Sequence, residues 1–468
     1  MQKKFSEFLS SLWSIKKEFR LKVFFLSFTF LLMMACLAIW RPLKVSIFAK
    51  LIGSEFVPDA KLYALFFIIP LIILYSKLVD WLRRHQLLYC FTIFHGLGGL
   101  IFYYLLSHPV YGIANTVTSP TRLTGWFFYF FMESFNAFLS TVFWSFADSI
   151  NNPKDAKNYY GFFVSGSKIG SIITAGSLYL ALTMSHNVKD SVLLPNSLLI
   201  GSFLLFGASA CIYLLMKTVP GYYMHGYEAV YQVEKQKQKE ELKEKKSFWQ
   251  MIKGSIEGLL VIIKNPYVLG IFAIIIFYEI IIVIFDYRVL RFADSVYPTA
   301  GSLTAYYAYY YLCMNAVGLL ISFFGTTPLL RILGIRLSLF IFPIICILIL
   351  LLTMLFPSAS IFLVALIGLR ALNYALNHPT REVLYIPTTK DIKFKAKAWS
   401  DAFGSRIAKG MGSVFNISLK SATPAFALMS SLSFSLGLTF AWVIVVYFLG
   451  KTLQDAIDNK KVIGDEKS

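Results

Sequence analysis

Two cations, Arg41 and Lys44, in the stretch Trp40-Arg41-Pro42-Leu43-Lys44 are the first residues that could do chemistry. They lie within an apolar segment of about 22–52, which as a helix would measure roughly 45 Å and so exceed a hydrocarbon core of about 30 Å. Because the two cations are three residues apart, one helix face would carry both. A charge at membrane depth costs about 3 kcal/mol and usually faces a cavity, so the pair indicates a polar pathway. The alternative is that both side chains reach the outer interface.

Further charged residues also fall inside apolar segments. The cations are Arg41, Lys44, Lys168, Arg370, Arg406 and Lys409, and the acids are Glu133, Glu279, Asp286 and Asp401. Each acid could simply pair with a cation and lock the helices together. The cations outnumber the acids, however, and an unpaired cation at this depth requires an anionic partner. A phosphate compound passing through the protein would provide that partner.

The composition is that of a polytopic membrane protein, because 57% of the residues are hydrophobic and apolar runs of about twenty residues recur. The net charge of +19 is explained first by cytoplasmic loop cations and then by an anionic substrate, so we expect no nucleic-acid partner. The chain has no Walker-type phosphate loop, and its histidines and cysteines lack metal-ligand spacing. We therefore expect no enzyme activity, no catalytic residue, no metal site and no cofactor.

Twelve apolar segments organise the chain and predict an all-α fold. They span about 22–52, 61–80, 86–107, 124–147, 159–184, 193–217, 265–287, 303–326, 335–356, 359–377, 398–418 and 424–450. A charged stretch between the sixth and seventh segments divides them into two six-helix halves. The predicted domains are a cytoplasmic N-terminus (1–21), an N-terminal half (22–217), a cytoplasmic linker (218–264), a C-terminal half (265–450) and a cytoplasmic tail (451–468).

Loop charge and a weak internal repeat refine this topology. Cations concentrate in the linker and in alternate loops, such as the run from Arg381 to Lys397, which predicts that both termini are cytoplasmic. Short similarities relate the ends of segments four and ten, and the small residues around Lys168 and Lys409. Two same-direction halves of six helices are typical of the major-facilitator architecture, whose site lies between the halves at mid-depth.

Several motifs resemble the nucleotide transporter family of plastids and obligate intracellular bacteria, the ATP/ADP translocases of plastid, rickettsial and chlamydial type. Arg41-Pro42-Leu43-Lys44 is similar to that family's Arg-x-x-Lys at the end of the first helix. The most specific match is Pro379-Thr380-Arg381-Glu382-Val383-Leu384-Tyr385-Ile386-Pro387, similar to the family's Pro-Thr-Lys/Arg-Glu-Met-x-Tyr-Ile-Pro. The resemblance covers nearly the whole chain. It implies a membrane antiporter that exchanges ATP against ADP, works as a monomer and lies in a bacterial inner membrane.

The resemblance also assigns roles to particular residues. Lys44 and Lys409, from opposite halves, would hold the phosphates, and Glu133 and Asp286 would pair with these cations in the empty site. The chain departs from the family at Val45, where an acid usually follows the first-helix lysine, and at Asp286, where glutamate is usual. Glu279 has no counterpart in the family, and Lys168 is additional. The full set of predicted substrate-binding residues is Lys44, Arg41, Glu133, Asp286, Lys409, Lys168, Glu279 and Arg381.

Two other functions remain open from sequence. One is a proton-coupled symporter that uses Glu279 or Asp286 as the proton carrier, or a transporter of another nucleotide, NAD or a non-nucleotide solute. The other is a membrane sensor or structural protein, which the number of charges inside apolar segments disfavours.

Overall fold

The computed structural model describes residues 17–151, 153–185, 188–224, 259–324, 326–389, 392, 396–400, 404–459 and 461–464. Asp401 and most of the predicted linker lie outside the described residues. Regular secondary structure in the described residues is helical, apart from one isolated bridge between Thr388 and Ile463.

The first six helices follow the first six apolar segments closely. They are α1 (Lys17–Phe48), α2 (Val57–Trp81), α3 (Arg84–Ser107), α4 (Leu123–Ile150), α5 (Pro153–Met184) and α6 (Asp190–Thr218). A π-turn (Ala49–Gly53) and a 3-10 turn (Ser54–Phe56) join α1 to α2. Gly53 has a φ of 120°, a conformation that favours glycine, and so lets the chain reverse here.

The later helices are more broken. They are α7 (Pro266–Val296), α8 (Ala300–Phe324), α9 (Thr326–Leu355), α10 (Ala359–Leu372), α11 (His378–Leu384), α12 (Ser405–Ser418) and α13 (Pro424–Asp458). A π-turn, Asn373–Asn377, joins α10 to α11. Side-chain oxygens of Asn265, Ser358 and Thr423 accept hydrogen bonds from backbone N–H groups at the starts of α7, α10 and α13. These caps satisfy amides that have no partner within the helix and so fix where each helix begins.

The chain forms two compact units that exchange short segments. Within the described residues, the first unit comprises 17–52, 66–224 and 299–312, and the second comprises 53–65, 259–298 and 313–464. The first unit therefore includes the beginning of α8, and the second includes the beginning of α2. The bounds predicted for the N- and C-terminal halves stay a prediction.

In the first unit, α1 is central and packs against α4, α5 and α6. Trp40, which is fully buried, lies between Gly99 of α3 and Gly201 of α6. A Cβ atom on Gly201 would come within 2.1 Å of the indole Nε1, so only glycine allows this close approach. The packing fixes the rotation of α1 about its axis, and with it the direction of Arg41 and Lys44.

A buried cation closes the other end of α1. The Nζ atom of Lys22 donates to the carbonyl oxygen of Ile150 at 2.6 Å and to that of Tyr223 at 2.9 Å, and the side chain is completely buried. The Ile150 carbonyl is at the C-terminus of α4, where the helix dipole favours a positive charge. Lys22 thus joins α1, the end of α4 and the turn after α6.

In the second unit, α7 packs against α10, α12 and α13. Asn416 of α12 donates from Nδ2 to the carbonyl oxygen of Val283 at 3.3 Å, and Gly412 lets α12 approach Val283 closely. These contacts set the depth at which the charged residues of α7 and α12 meet.

Six helical stretches in the described residues are long and apolar enough to cross a membrane by length and composition. They are Arg20–Val79, Arg84–Ser107, Asp190–Thr218, Pro266–Val296, Arg336–Leu355 and Pro424–Asp458, the first of which covers both α1 and α2. Helices α4, α5 and α12 fall outside this set, and they carry Glu133, Lys168 and Lys409 respectively. Three of the predicted site residues thus lie on helices outside this set.

Candidate functional site

An ion pair between α1 and α4 forms the centre of the candidate site in the first unit. The Nζ atom of Lys44 lies 2.5 Å from the Oε1 atom of Glu133. Only 14% of the lysine side chain and 18% of the glutamate side chain are exposed. The ammonium also lies 5.0 Å from the centre of the Tyr129 ring. A carboxylate and an aromatic face together hold this cation, as predicted for Lys44 and Glu133 in the absence of substrate.

Arg41 lies one helical turn before Lys44 and has different partners. Its Nη2 atom donates to the Oδ1 atom of Asn136 at 2.9 Å, and its guanidinium carbon lies 5.6 Å from the centre of the Tyr311 ring. Both partners are neutral. A small depression adjoins these groups and is lined by Leu37, Trp40, Arg41, Lys44, Met132, Phe135 and Asn136. The first unit therefore presents two cations at one mainly apolar depression.

A second ion pair, between Arg370 of α10 and Asp286 of α7, lies in the second unit. The side chains are about a quarter and a fifth exposed. The prediction that Asp286 pairs with Lys409 is wrong for this structure, because α7 turns Asp286 toward α10 and not toward α12. The cation of this pair is on the fourth helix of its half, whereas in the first unit the cation, Lys44, is on the first helix.

Lys409 instead pairs with Glu279, whose carboxylate Oε2 lies 3.6 Å from the lysine Nζ. Glu279 is 16% exposed and Lys409 is 51% exposed, so the acid is held in place while the cation extends into open space. This looser pair leaves the ammonium of Lys409 accessible to an anion. Glu279 has no counterpart in the family motifs, yet it is the ion-pair partner of Lys409, which has one.

The remaining predicted residues lie apart from these pairs. Lys168 is half-buried on α5 of the first unit. Arg381 is buried in α11. The next residue, Glu382, forms an ion pair with Lys397, in which the carboxylate Oε2 lies 2.5 Å from the lysine Nζ. In the described chain, Lys44 thus pairs with Glu133 and Lys409 with Glu279, whereas Asp286 pairs with Arg370, which was not in the predicted set. The predicted set forms no single cluster there.

The comparisons with known proteins give one consistent result. A sequence profile described as TLC ATP/ADP transporter matches residues 1–453. The protein named ADP,ATP carrier protein 1 of Rickettsia prowazekii (strain Madrid E) is 23% identical over 491 aligned residues, which cover 96% of this chain and 95% of that protein. The protein of the same name from Chlamydia muridarum (strain MoPn / Nigg) is 23% identical and covers 88% of this chain and 84% of its own length.

The chain belongs to the TLC ATP/ADP transporter family. The family resemblance predicted from the motifs is therefore confirmed. Membership of a transporter family indicates a multi-pass membrane transporter rather than an enzyme.

The fold of this TLC-family transporter matches that of solved membrane transporters. An auto-inhibited peptide transporter of the POT family superposes with a TM-score of 0.60 at 12% identity, covering 91% of this chain and 96% of that one. The neighbours of this kind are transporters of the major-facilitator type. The predicted fold class, an all-α polytopic membrane protein with major-facilitator-like architecture, is confirmed.

Sequence reasoning missed two residues of the TLC-family transporter that contact Arg41, and a buried arginine elsewhere, on α7. Asn136 could have been found, because it lies three residues after Glu133 and so on the same helix face. Tyr311 is 270 residues from Arg41 in the sequence, so spacing gives no signal for this contact. Arg288 is buried, donates from Nε to the hydroxyl of Ser431 at 2.8 Å, and has no described hydrogen-bond partner for Nη2. Arg288 comes directly after the seventh predicted apolar segment, so its position in the sequence did not distinguish it from a loop cation.

Proposed function

We propose that this transporter exchanges nucleotides, ATP against ADP, by alternating access. The observation that carries the proposal is the ion pair between Lys44 and Glu133, because it provides a phosphate-binding cation that has an internal counter-charge when no substrate is bound. Charge-assisted contacts to phosphate are strong, and a lysine meets phosphate as a flexible point charge. Substrate can therefore replace Glu133 as the partner of Lys44, and Glu133 can take the lysine back when substrate leaves.

The second unit supports the proposal because it holds another partly exposed cation, Lys409. Lys409 is half-exposed beside Glu279, and we assign it a phosphate-binding role as well. Asp286 and Arg370 pair with each other, and we assign them the role of fixing α7 against α10. We assign the exchange to a carrier that reorients only with substrate bound, which requires no coupling ion.

We further propose that the protein lies in a bacterial inner membrane, works as a monomer and binds no nucleic acid. The charges of the loops support cytoplasmic termini, since cations concentrate in the loops placed inside. A tag at Lys239, in the predicted linker outside the described residues, should be labelled only after the membrane is permeabilised. Labelling from outside intact cells would contradict this orientation.

The experiment that tests the exchange uses proteoliposomes with or without internal ADP. Uptake of labelled ATP should require internal ADP and should respond to an uncoupler only through membrane potential. Measurement at two pH values separates exchange from proton symport, which predicts uptake without internal nucleotide and a loss of pH dependence in Asp286→Asn. Uptake that is independent of internal nucleotide would show that the proposed exchange is wrong. If the protein takes up no nucleotide at all, the proposal that its substrate is a nucleotide is wrong as well.

A further inference from the structure

The chain that follows α13 turns back and pairs with the connection between α11 and α12. The amide of Ile463 donates to the carbonyl oxygen of Pro387 at 2.8 Å, and the carbonyl oxygen of Ile463 accepts from the amide of Thr389 at 3.1 Å. Both main-chain polar groups of Ile463 are therefore used, in a short bridge of the parallel kind. We call residues 461–464 the strap.

The strap also lies against the start of α7. Gly464 has a φ of 92°, and an added Cβ atom would come within 2.5 Å of the Cδ1 atom of the buried Ile392 and 3.4 Å of the Nδ2 atom of Asn265. Asn265 caps α7, because its side-chain oxygen accepts hydrogen bonds from two backbone amides there. The hydroxyl of Tyr267, in the first turn of α7, donates to the carbonyl oxygen of Leu384 at 2.9 Å. The connection between α11 and α12 is thus tied to the start of α7 by a side chain and through the strap.

These ties bear on the pair formed by Lys409 of α12 and Glu279 of α7, whose charged atoms lie 3.6 Å apart. On one side of the pair, Asn416 of α12 donates to the carbonyl oxygen of Val283 of α7 at 3.3 Å. On the other side, the strap holds the chain that leads into α12 near the first turn of α7. The position of α12 along α7, and with it the position of the Lys409 ammonium, is therefore fixed from both ends.

Main-chain groups form the strap, so it can open without any loss of charge or of apolar core. The net contribution of a hydrogen bond to stability is modest, and a tie of two such bonds can open locally while the helices stay folded. The requirements of the strap are an N–H group at position 463 and a glycine at position 464. Other side chains at position 463 are compatible with the same bonds.

We propose that the strap is a positioning element for substrate binding, which holds α12 along α7 so that Lys409 stays beside Glu279 and accessible to a phosphate group. The strap touches no substrate and acts through Lys409. This inference rests on the phosphate-binding role that the proposed function gives to Lys409, and it deepens that function by adding a segment far from Lys409 in the sequence.

Hydrogen exchange of the purified full-length protein tests whether the strap holds the connection. Ile463→Pro removes the N–H group that donates to Pro387, so the amide of Thr389 should exchange about tenfold faster or more. Gly464→Val crowds Ile392 and should have the same effect. Ile463→Val keeps both main-chain bonds and is the matched control, which should exchange as wild type. A wild-type exchange rate at Thr389 in both Ile463→Pro and Gly464→Val would overturn the proposal.

Binding of ADP to the same variants tests the positioning role. Ile463→Pro should weaken ADP binding by about threefold to tenfold, whereas Ile463→Val should bind as wild type. If the strap acts through Lys409, adding Ile463→Pro to Lys409→Gln should cause no further loss, because the cation that the strap positions is absent. Lys409→Arg keeps a cation, and in that background Ile463→Pro should again weaken binding. Equal losses in the wild-type and Lys409→Gln backgrounds would show that the strap has only a general structural role, and the proposal would be wrong.

The outcomes separate this inference from the proposed function. If wild-type protein binds ADP and Ile463→Pro speeds exchange at Thr389 without weakening ADP binding, only the inference is wrong. If wild-type protein binds no ADP, the proposed function is wrong and the inference fails with it. If Ile463→Pro does not fold, Gly464→Val takes its place in each measurement, with Ile463→Val still the control.

Discussion

Replacement of Lys44 by Gln should affect stability and substrate binding separately, and the ion pair with Glu133 sets both magnitudes. Removing one partner of a fully buried ion pair costs about 3–5 kcal/mol, because the other charge is left uncompensated. Since 14% and 18% of these side chains are exposed, we expect Lys44→Gln to lower the free energy of unfolding by roughly 2–4 kcal/mol. A charge-assisted contact to phosphate is worth about 1.5–3 kcal/mol, so nucleotide affinity should fall by roughly tenfold to a hundredfold.

The double variant Lys44→Gln/Glu133→Gln distinguishes the two effects. It removes both charges, so stability should return toward the wild-type value while nucleotide binding stays weak. Lys44→Arg keeps the charge but replaces a flexible ammonium with a planar fork, and we expect partial transport. Thermal unfolding of the purified protein and uptake of labelled ATP into ADP-loaded proteoliposomes measure the two properties.

Lys50→Gln provides the matched control for this test, because Lys50 lies six residues further along the same segment. If Lys44 only reaches the membrane interface, Lys44→Gln and Lys50→Gln should both transport at nearly the wild-type rate. That result would refute the reasoning from the ion pair and leave Lys409 to carry the phosphate-binding role alone.

Two further sets of substitutions test how the helices are held. Asp286→Asn or Arg370→Gln should each lower the free energy of unfolding by roughly 1–3 kcal/mol, because the pair is partly buried. The double variant with the two charges exchanged should recover much of this loss. Thermal unfolding measures the stability of each variant, and equal stability of all of them would contradict the role assigned to this pair. Gly201→Leu should lower the yield of folded protein by crowding the indole of Trp40, whereas Gly318→Ala, where an added Cβ meets no atom within 4 Å, should not, as size-exclusion chromatography of the two variants would reveal.

The sequence predicted the helical elements because they depend on local patterns. Apolar runs of sufficient length define helices, and a charge inside such a run is visible without knowledge of packing. Lys44 and Glu133 were paired through the family resemblance, and the structure brings them together. The helix ends were less predictable, since α10 and α11 are separated by a π-turn that no residue pattern indicated.

The partners of Asp286 could not be predicted in this way. Spacing shows which residues share a face of one helix, but it does not show which neighbouring helix that face meets. Arg370 and Lys409 were both candidate partners, and only the packing of α7 against α10 and α12 decides between them. Asn136 was missed for a different reason: a search for charges passes over a neutral amide, even where that amide determines how a cation is presented.

The buried Lys22 has a consequence for the synthesis of this protein. Its ammonium is near the beginning of the chain, but the carbonyl groups that accept its hydrogen bonds belong to Ile150 and Tyr223, which follow it by 128 and 201 residues. At about 5–20 residues per second, a ribosome takes roughly 10–40 s to reach the second of them. Until each acceptor is synthesised, Lys22 lacks the hydrogen bond that it forms with that acceptor in the folded protein. Assembly of the first six helices is therefore expected to finish in one late step, when the turn after α6 emerges and closes over Lys22.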